Sequence, residues 1–414
     1  MRIHDNPSPV ELRLFTIRFP YGTGEAFLET EIAELAPRFE RIVIVPLEAG
    51  GEPRPLPPNV DVMDFPCDPY APASIGTVLR YVGVFARLKW SVFGSSIGSW
   101  WRWREVIGAM RQYLARALAL RRTLFRDHEP KRVLVYSYWF HDQAVVLGIL
   151  RLMDPRIHFV SRASGFDLYE DRDPSGRYPF RRFQLAQVDR VFAASQAGLD
   201  HLLQQHPHHS HKFQLARLGT ADHGLAPWGP SPVLRIVSCA RLIPLKRVHL
   251  LAEALRQVNV PVEWTHFGDG TGRERIEELI CRLPANVKVT IMGAVRNADL
   301  LAWYARQQVD LFIHLSESEG GVPVALQEAA SFGIPLLAAD TGGVREIVNA
   351  HTGSLLPHDP TLADITEAIT RHRTSPAYAP TFREGVRTYW RAHFHAPDNF
   401  ARFFAQLRSS VPGG

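Results

Sequence analysis

The residues able to do chemistry gather in the second half of this 414-residue chain. Arg241 closes the apolar run LRIVSCA, and Lys246 follows near the entry to a helical pattern. Two cations beside a helix start favour an anion, because free N–H groups and the helix dipole add to their charge. Further on, HFGDG sets Gly268 and Gly270 around Asp269, where a backbone free of side chains can approach a ligand closely. Either signal alone also fits a solvated turn. The run SESEGGVPVALQEAASFGIPLLAADTGGVREIV, residues 316–348, carries the most information. Glu319 stands in a loop, and Gly320, Gly321 and Val322 present backbone N–H groups. Pro323 occupies a favoured helix-entry position, with Glu328 more than a turn inside. Carboxylates accept hydrogen bonds from hydroxyls, so the pair suits a sugar and a ribose.

The elements that must hold these residues alternate between short apolar runs and amphipathic segments. LRLFTIRF, RIVIVP, VDVMDF, RVLVYSY, IHFVSR, DRVFAAS and KFQLARL predict buried strands in the first half. LRIVSCA, VEWTHFG, VKVTIMG, VDLFIHL and IPLLAAD predict five more in the second. Strand–helix alternation in both halves predicts an α/β protein with two doubly wound, Rossmann-like parallel-sheet domains. Ligands bind such sheets at strand C-termini, which is where the residues above fall. The Gly/Pro-rich stretch 219–232 has no periodicity and predicts a linker, giving domains at 1–218 and 233–376 and terminal helices at 377–414.

The order R-x4-K, GDG, E-G…P-V-x-L-x-E-A, GIP and DTGG-x-x-E-I-V resembles the family 4 glycosyltransferases, which are GT-B enzymes, mostly retaining. FPYGTGEAFLETEIAEL, SYWF, SRASGFDLYED and ARLGT are similar to a bacterial subgroup tied to surface polysaccharide synthesis. The stretch YWRAHFHAPDNFARFFAQL resembles the terminal GT-B helices that cross back to the first domain. The resemblance implies a cleft between two domains and transfer of a sugar from a nucleotide-sugar to an acceptor hydroxyl. Arg241 and Lys246 would neutralise the donor diphosphate and Glu319 would hold sugar hydroxyls, as the catalytic set. Glu328 would bind the ribose, and Met292 and Gly293 would flank the base. Gly268, Gly270, Gly320, Gly321 and Val322 would line the donor site, with Gly22 and Gly24 facing its phosphates from the first domain. His141, Ser164 and Asp167 are the acceptor-side candidates. Two departures stand out. Eight residues separate Glu319 from Glu328 where the family usually has seven, and Ser164 stands where the subgroup tends to carry histidine. They motivate an alternative reading, a catalytically silent GT-B subunit that binds a glycan or partner enzyme. A sugar-nucleotide epimerase on the same architecture is a third. The transfer scheme requires neither metal nor cofactor, and Asp171-Arg172-Asp173 reads as a solvated loop.

Composition narrows the classes further. Apolar residues make up 46% and charged residues 21%, which excludes disorder for most of the chain. Cys67, Cys239 and Cys281 lack the spacing of a disulfide framework or zinc site, and their usage fits a reducing cytosol. Neither a secretory signal nor a run of eighteen apolar residues is visible, so a cytoplasmic protein is expected. The net charge of +5 is uneven. Arg80 to Arg132 holds twelve Lys/Arg against three acids, leaving 35 basic and 39 acidic residues elsewhere. Trp90, Trp100, Trp101 and Trp103 share that stretch. Cations with tryptophan predict two helices, roughly 75–97 and 103–127, that hold the protein to the inner face of an anionic membrane. A plain packed helix pair is the competing reading. The expected partners are the nucleotide-sugar, a glycan or lipid-linked acceptor and the membrane surface, with no nucleic acid.

Overall fold

Seven short apolar runs build the first sheet. They are β1 (Glu11–Thr16), β2 (Arg41–Pro46), β3 (Val60–Val62), β4 (Val133–Ser137), β5 (Phe159–Ala163), β6 (Arg190–Ala193) and β7 (Phe213–Leu215). All seven strands expected from the sequence are present. The computed structural model describes residues 11–22, 24–92, 100–126, 132–169 and 178–410, with backbone alone at 100–102. The sheet runs β3-β2-β1-β4-β5-β6-β7, every described pairing parallel. Burial on both faces explains the near-continuous apolar sequences, since β4 and β5 are buried at every position.

The connections are helical: α1 (Leu28–Leu35), α2 (Ile75–Arg80), α3 (Val82–Val92), α4 (Trp100–Arg122), α5 (Asp142–Met153), α6 (Arg181–Gln187) and α7 (Gln196–Gln205). Here one expectation needs correction. Helix α4 is a core element, not a surface one. Met110, Leu114, Ala117 and Leu120 are fully buried, and half-buried Trp103 packs on the same core. Two of its cations are committed internally as well. Arg116 is buried and donates to Pro69 O at 2.5 Å, and Arg111 donates to Ala73 O at 2.9 Å. An amphipathic stripe facing a sheet outweighs a basic composition, because removing that apolar surface from water stabilises more than exposed cations do.

The second sheet runs β10-β9-β8-β11-β12-β13, again parallel throughout. Its strands are β8 (Leu234–Cys239), β9 (Val262–Phe267), β10 (Val287–Ile291), β11 (Leu311–His314), β12 (Leu336–Ala339) and β13 (Gly353–Leu356). Strand β13 is absent from the sequence expectation: it is a half-exposed edge strand of four residues with no apolar run to announce it. The helices are α8 (Val248–Leu255), α9 (Arg273–Ile280), α10 (Asn297–Tyr304), α11 (Val324–Ser331), α12 (Leu362–His372), α13 (Pro380–Phe394) and α14 (Ala396–Ser409). Both sheets reverse direction beside their first strand, at β1/β4 and β8/β11, the order of a doubly wound fold.

Internal packing divides the chain into two units. The first is 1–194, 198–216 and 400–414; the second is 195–197 and 217–399. Residues 219–232 therefore pack with the second unit: Trp228 Nε1 donates to Asp310 at 2.7 Å and Ala226 N to Phe332 O at 3.1 Å. Helix α13 also belongs there, and the chain joins the first unit at Phe400.

Candidate active site

The switch point of the second sheet gathers the residues singled out by type. After β8 the chain turns through Pro244–Lys246 into α8, with Arg247 at φ 47° as the N-cap. That left-handed residue is anchored: its guanidinium donates to Leu315 O and His358 O at 2.8 Å and pairs with Asp359. The β8 turn is thereby tied to the end of β11 and presents Lys246 inward. Lys246 Nζ meets Glu319 Oε1 at 2.5 Å, and His314 Nε2, at the end of β11, donates to the same oxygen at 2.9 Å. Burial would raise the Glu319 carboxyl, but the hydrogen bond from His314 and the neighbouring Lys246 charge outweigh it. Glu319 is held well below the usual carboxylate range. Arg241 is exposed, and its side chain has no partner among the described residues.

Behind Glu319 the chain runs through Gly320, Gly321 and Val322 into α11. The N–H groups of these three residues have no acceptor among the described residues. They point from a helix start next to a cation, the arrangement that holds an anion. Gly342, at φ 52°, supports this loop: a Cβ there would stand 1.7 Å from Glu319 O, so only glycine lets the two backbones meet. Glu328 lies on α11, nearly buried, with Asn297 Nδ2 donating to Oε1 at 2.7 Å. Burial pushes its carboxyl up to about 7, against the Asn297 hydrogen bond. Gly268 bridges to Gly293, its N–H donating to Gly293 O at 2.8 Å. Met292 beside them is exposed. A Cβ on Gly268 would lie 1.9 Å from Ala240 O, so Gly268 permits the β8 and β9 turns to touch, and Gly270 packs similarly on Leu242 O. The second unit thus brings together Lys246, Glu319 and Gly320 to Val322, with Glu328 on the same helix. It adds His314 and Arg247, which sequence reasoning missed. The histidine lay inside an apolar strand and the arginine beside a stronger lysine signal.

In the first unit the β1/β4 switch point is organised by Glu25. Its carboxylate accepts from the N–H of Arg18 and Phe19 at 2.7 Å and from Trp139 Nε1 at 2.6 Å. The motif GTGEAF carries this residue, yet its glycines were the stronger sequence signal. Gly22 sits at φ 67° with its carbonyl accepting from Arg54 Nη2 at 2.8 Å, and Gly24 has open space around it. Of the acceptor-side candidates, Asp167 needs correction. It is 0% exposed, and both oxygens are taken by N–H groups of Ser164, Gly165 and Phe140 at 2.8 to 3.0 Å. It shapes the loops after β4 and β5 and is closed to an acceptor. Ser164 is half-buried. His141 is half-buried, 3.0 Å from Asp142 and packed on Phe166 and Tyr178. Burial opposes its charged form, but the Asp142 carboxylate prevails and raises it. Trp139 and exposed Phe166 lie beside it, ring centroids 4.7 Å apart. Asp171 to Asp173 lie outside the described residues.

Residues 230–387 match the family model described as glycosyl transferases group 1. The second unit carries a glycosyl transferase group 1 domain. The match contains Arg241, Lys246, His314, Glu319 and Glu328, and it covers less than half of the chain. The chain is 29% identical over 158 residues to a protein of Escherichia coli K12 named as a colanic acid biosynthesis glycosyltransferase, WcaL. That alignment spans 36% of this chain and 39% of the relative. It is 33% identical over 183 residues to a GDP-mannose-dependent alpha-mannosyltransferase of Mycobacterium tuberculosis, spanning 41% and 44%. The chain therefore matches less than half the length of these curated relatives. Among solved structures, Anabaena HepE in complex with UDP and glucose matches at a TM-score of 0.67 and 17% identity, over 96% of this chain and 99% of that one. The fold class is GT-B, with both parallel-sheet units represented. Within the group 1 domain, Glu346 of DTGGVREIV is a further residue whose task only the structure shows. It accepts from Gln196 N at 2.6 Å and from Arg217 Nε at 2.8 Å, both residues of the second unit.

Proposed function

We propose that this protein transfers a sugar from a nucleotide-sugar to an acceptor hydroxyl, with retention at the anomeric carbon, in surface polysaccharide or lipopolysaccharide synthesis. The observation that carries the reading is the arrangement of Lys246, His314 and Glu319 around three free N–H groups, within the segment that matches group 1 transferases. The bond between the sugar C1 and the diphosphate oxygen breaks, and a bond from C1 to the acceptor oxygen forms. Charge develops on the leaving phosphate, where Arg241, Lys246 and the N–H groups of Gly320 to Val322 stabilise it. The acceptor proton passes to that phosphate. Glu319, kept ionised by its two neighbours, accepts from sugar hydroxyls, and Glu328 from the ribose. His141, oriented by Asp142, stands on the acceptor side. The relative named for colanic acid biosynthesis and the complex of a fold neighbour with UDP and glucose support the substrate class. A lipid-carried acceptor would place the enzyme at the cytoplasmic face of the membrane.

A panel of nucleotide-sugars tests this by thermal shift and by release of nucleoside diphosphate. One donor should raise the melting temperature in proportion to the logarithm of its concentration and be turned over with acceptor. Binding without any hydrolysis or transfer would leave the silent-subunit reading, and interconversion of UDP-sugars would favour the epimerase.

A further inference from the structure

Helices α2 and α3 carry two apolar faces, one packed on the core and one exposed. Val78, Tyr81, Val84 and Phe85 pack against the core, with Leu88 and Val92 fully buried. The two helices continue into each other at Tyr81, whose carbonyl accepts from Phe85 N at 3.1 Å. On the outer side Ile75 and Leu79 of α2, and Val82 and Ala86 of α3, recur at helical spacing within each helix, with Trp90 one turn further on. Their exposure is high: Ile75 71%, Leu79 69%, Val82 60% and Trp90 77%. Arg80, Arg87 and Lys89 flank the stripe, exposed and without side-chain partners among the described residues. From Pro69 to Arg104 the sequence contains no acidic residue.

We infer that the outer face of α2–α3 is a docking surface for an anionic lipid leaflet, with Ile75, Leu79, Val82 and Ala86 entering the headgroup–acyl boundary and Arg80, Arg87 and Lys89 meeting lipid phosphates. An apolar helical stripe edged by cations is the composition of a helix that lies in an interface. Charge decides between occupants. A second copy would set these cations against themselves about a two-fold axis, whereas an anionic leaflet complements all three. The inference locates membrane contact on α2–α3 rather than on α4, whose Arg111 and Arg116 are bonded internally and whose apolar stripe of Met110, Leu114, Ala117 and Leu120 is buried. It stands independently of the donor chemistry, since none of these residues belongs to the switch points.

Co-sedimentation of the full chain with phosphatidylglycerol-containing and pure phosphatidylcholine vesicles tests it. Binding should favour the anionic vesicles by about tenfold or more and weaken with salt while keeping a salt-resistant part. Triple substitution Arg80→Gln, Arg87→Gln, Lys89→Gln should abolish the preference for anionic lipid, each cation contributing about fivefold. Ile75→Ser, Leu79→Ser, Val82→Ser should remove the salt-resistant part. Both variants change exposed side chains, so melting temperature and donor binding should match the parent and exclude misfolding. Equal binding to both vesicle types, absence of binding by folded protein, or concentration-dependent dimerisation abolished by the Ser variant would each overturn the inference.

Discussion

Three side chains share one small volume at the second switch point. Lys246 and His314 both address the same oxygen of Glu319, so the carboxylate is a counter-ion to the lysine before any donor arrives. A diphosphate would offer Lys246 a second anion. Lys246→Ala should therefore lower kcat/KM by about 10²-fold or more, as removal of a charge that stabilises the leaving group does. Arg241→Ala should do the same with an unchanged melting curve, because that side chain is exposed and makes no described contact. Steady-state kinetics with the true donor decide it; full activity of either variant means the leaving group sits elsewhere.

Glu328 gives a different kind of residue-scale prediction. Its carboxyl ionises near 7 in the folded chain and near 4.5 when unfolded. The folded state holds the proton more tightly, so stability is highest below the unfolded value and falls as pH rises from about 4.5 to about 7. The loss is about 3 kcal/mol at most. Glu328→Gln should stabilise the protein against denaturant at pH ~8 by up to that amount and make no difference at pH ~4. With Glu328 holding the ribose as proposed, the same variant should bind donor about tenfold more weakly, through loss of a charge-assisted bond. A variant that gains no stability at the higher pH would show that the carboxylate is already well solvated.

At the scale of elements, a close backbone approach holds the loop that carries Glu319. Glu319 and the N–H groups after it are held by Gly342, whose position admits no Cβ. Gly342→Ala should cost about 2–4 kcal/mol and displace the Glu319 loop, lowering activity even at temperatures where the protein is folded. Melting and activity measured together test this; loss of neither would mean that the loop has room to shift. Element type was legible because buried parallel strands are short apolar runs, and twelve of the thirteen described strands accord with that pattern. Strand β13 was not, since a half-exposed edge of four residues lacks the pattern. The basic, tryptophan-bearing helices split the same way. Composition alone did not distinguish α4, which the core claims, from α2–α3, where one face remains outside.

At the scale of the molecule, the C-terminal segment completes the first unit. From Phe400 onward α14 packs there, and the Phe403 ring centroid lies 4.3 Å from the Arg162 guanidinium. Arg162 is fully buried, paired with Glu31 at 3.3 Å and bonded to Tyr136 at 2.9 Å. Burial raises the Glu31 carboxyl, and the Arg162 charge opposes it. Phe403 covers this pair, so Phe403→Ala opens a cavity beside a buried charge and should destabilise by about 3–5 kcal/mol. The first unit should melt earlier, and hydrogen exchange should accelerate in β4 and β5 while the second sheet stays protected. Uniform acceleration across both sheets would mean that the two units unfold together.

The sequence by itself determined the fold class and singled out the candidate residues Arg241, Lys246, Glu319 and Glu328. Both rest on local pattern: apolar periodicity specifies parallel strands, and doubly wound sheets place the loop after each strand at the ligand end. Residue types in that loop, Lys246 and Glu319 among them, then carry chemical meaning. Only the tertiary structure decided which polar residues are free to act. Asp167 looked available beside Ser164, yet three backbone N–H groups consume its oxygens. His314 looked like part of a strand, yet its ring reaches Glu319. Hydrogen-bond partners and burial depend on residues distant in the chain, and no local spacing records them.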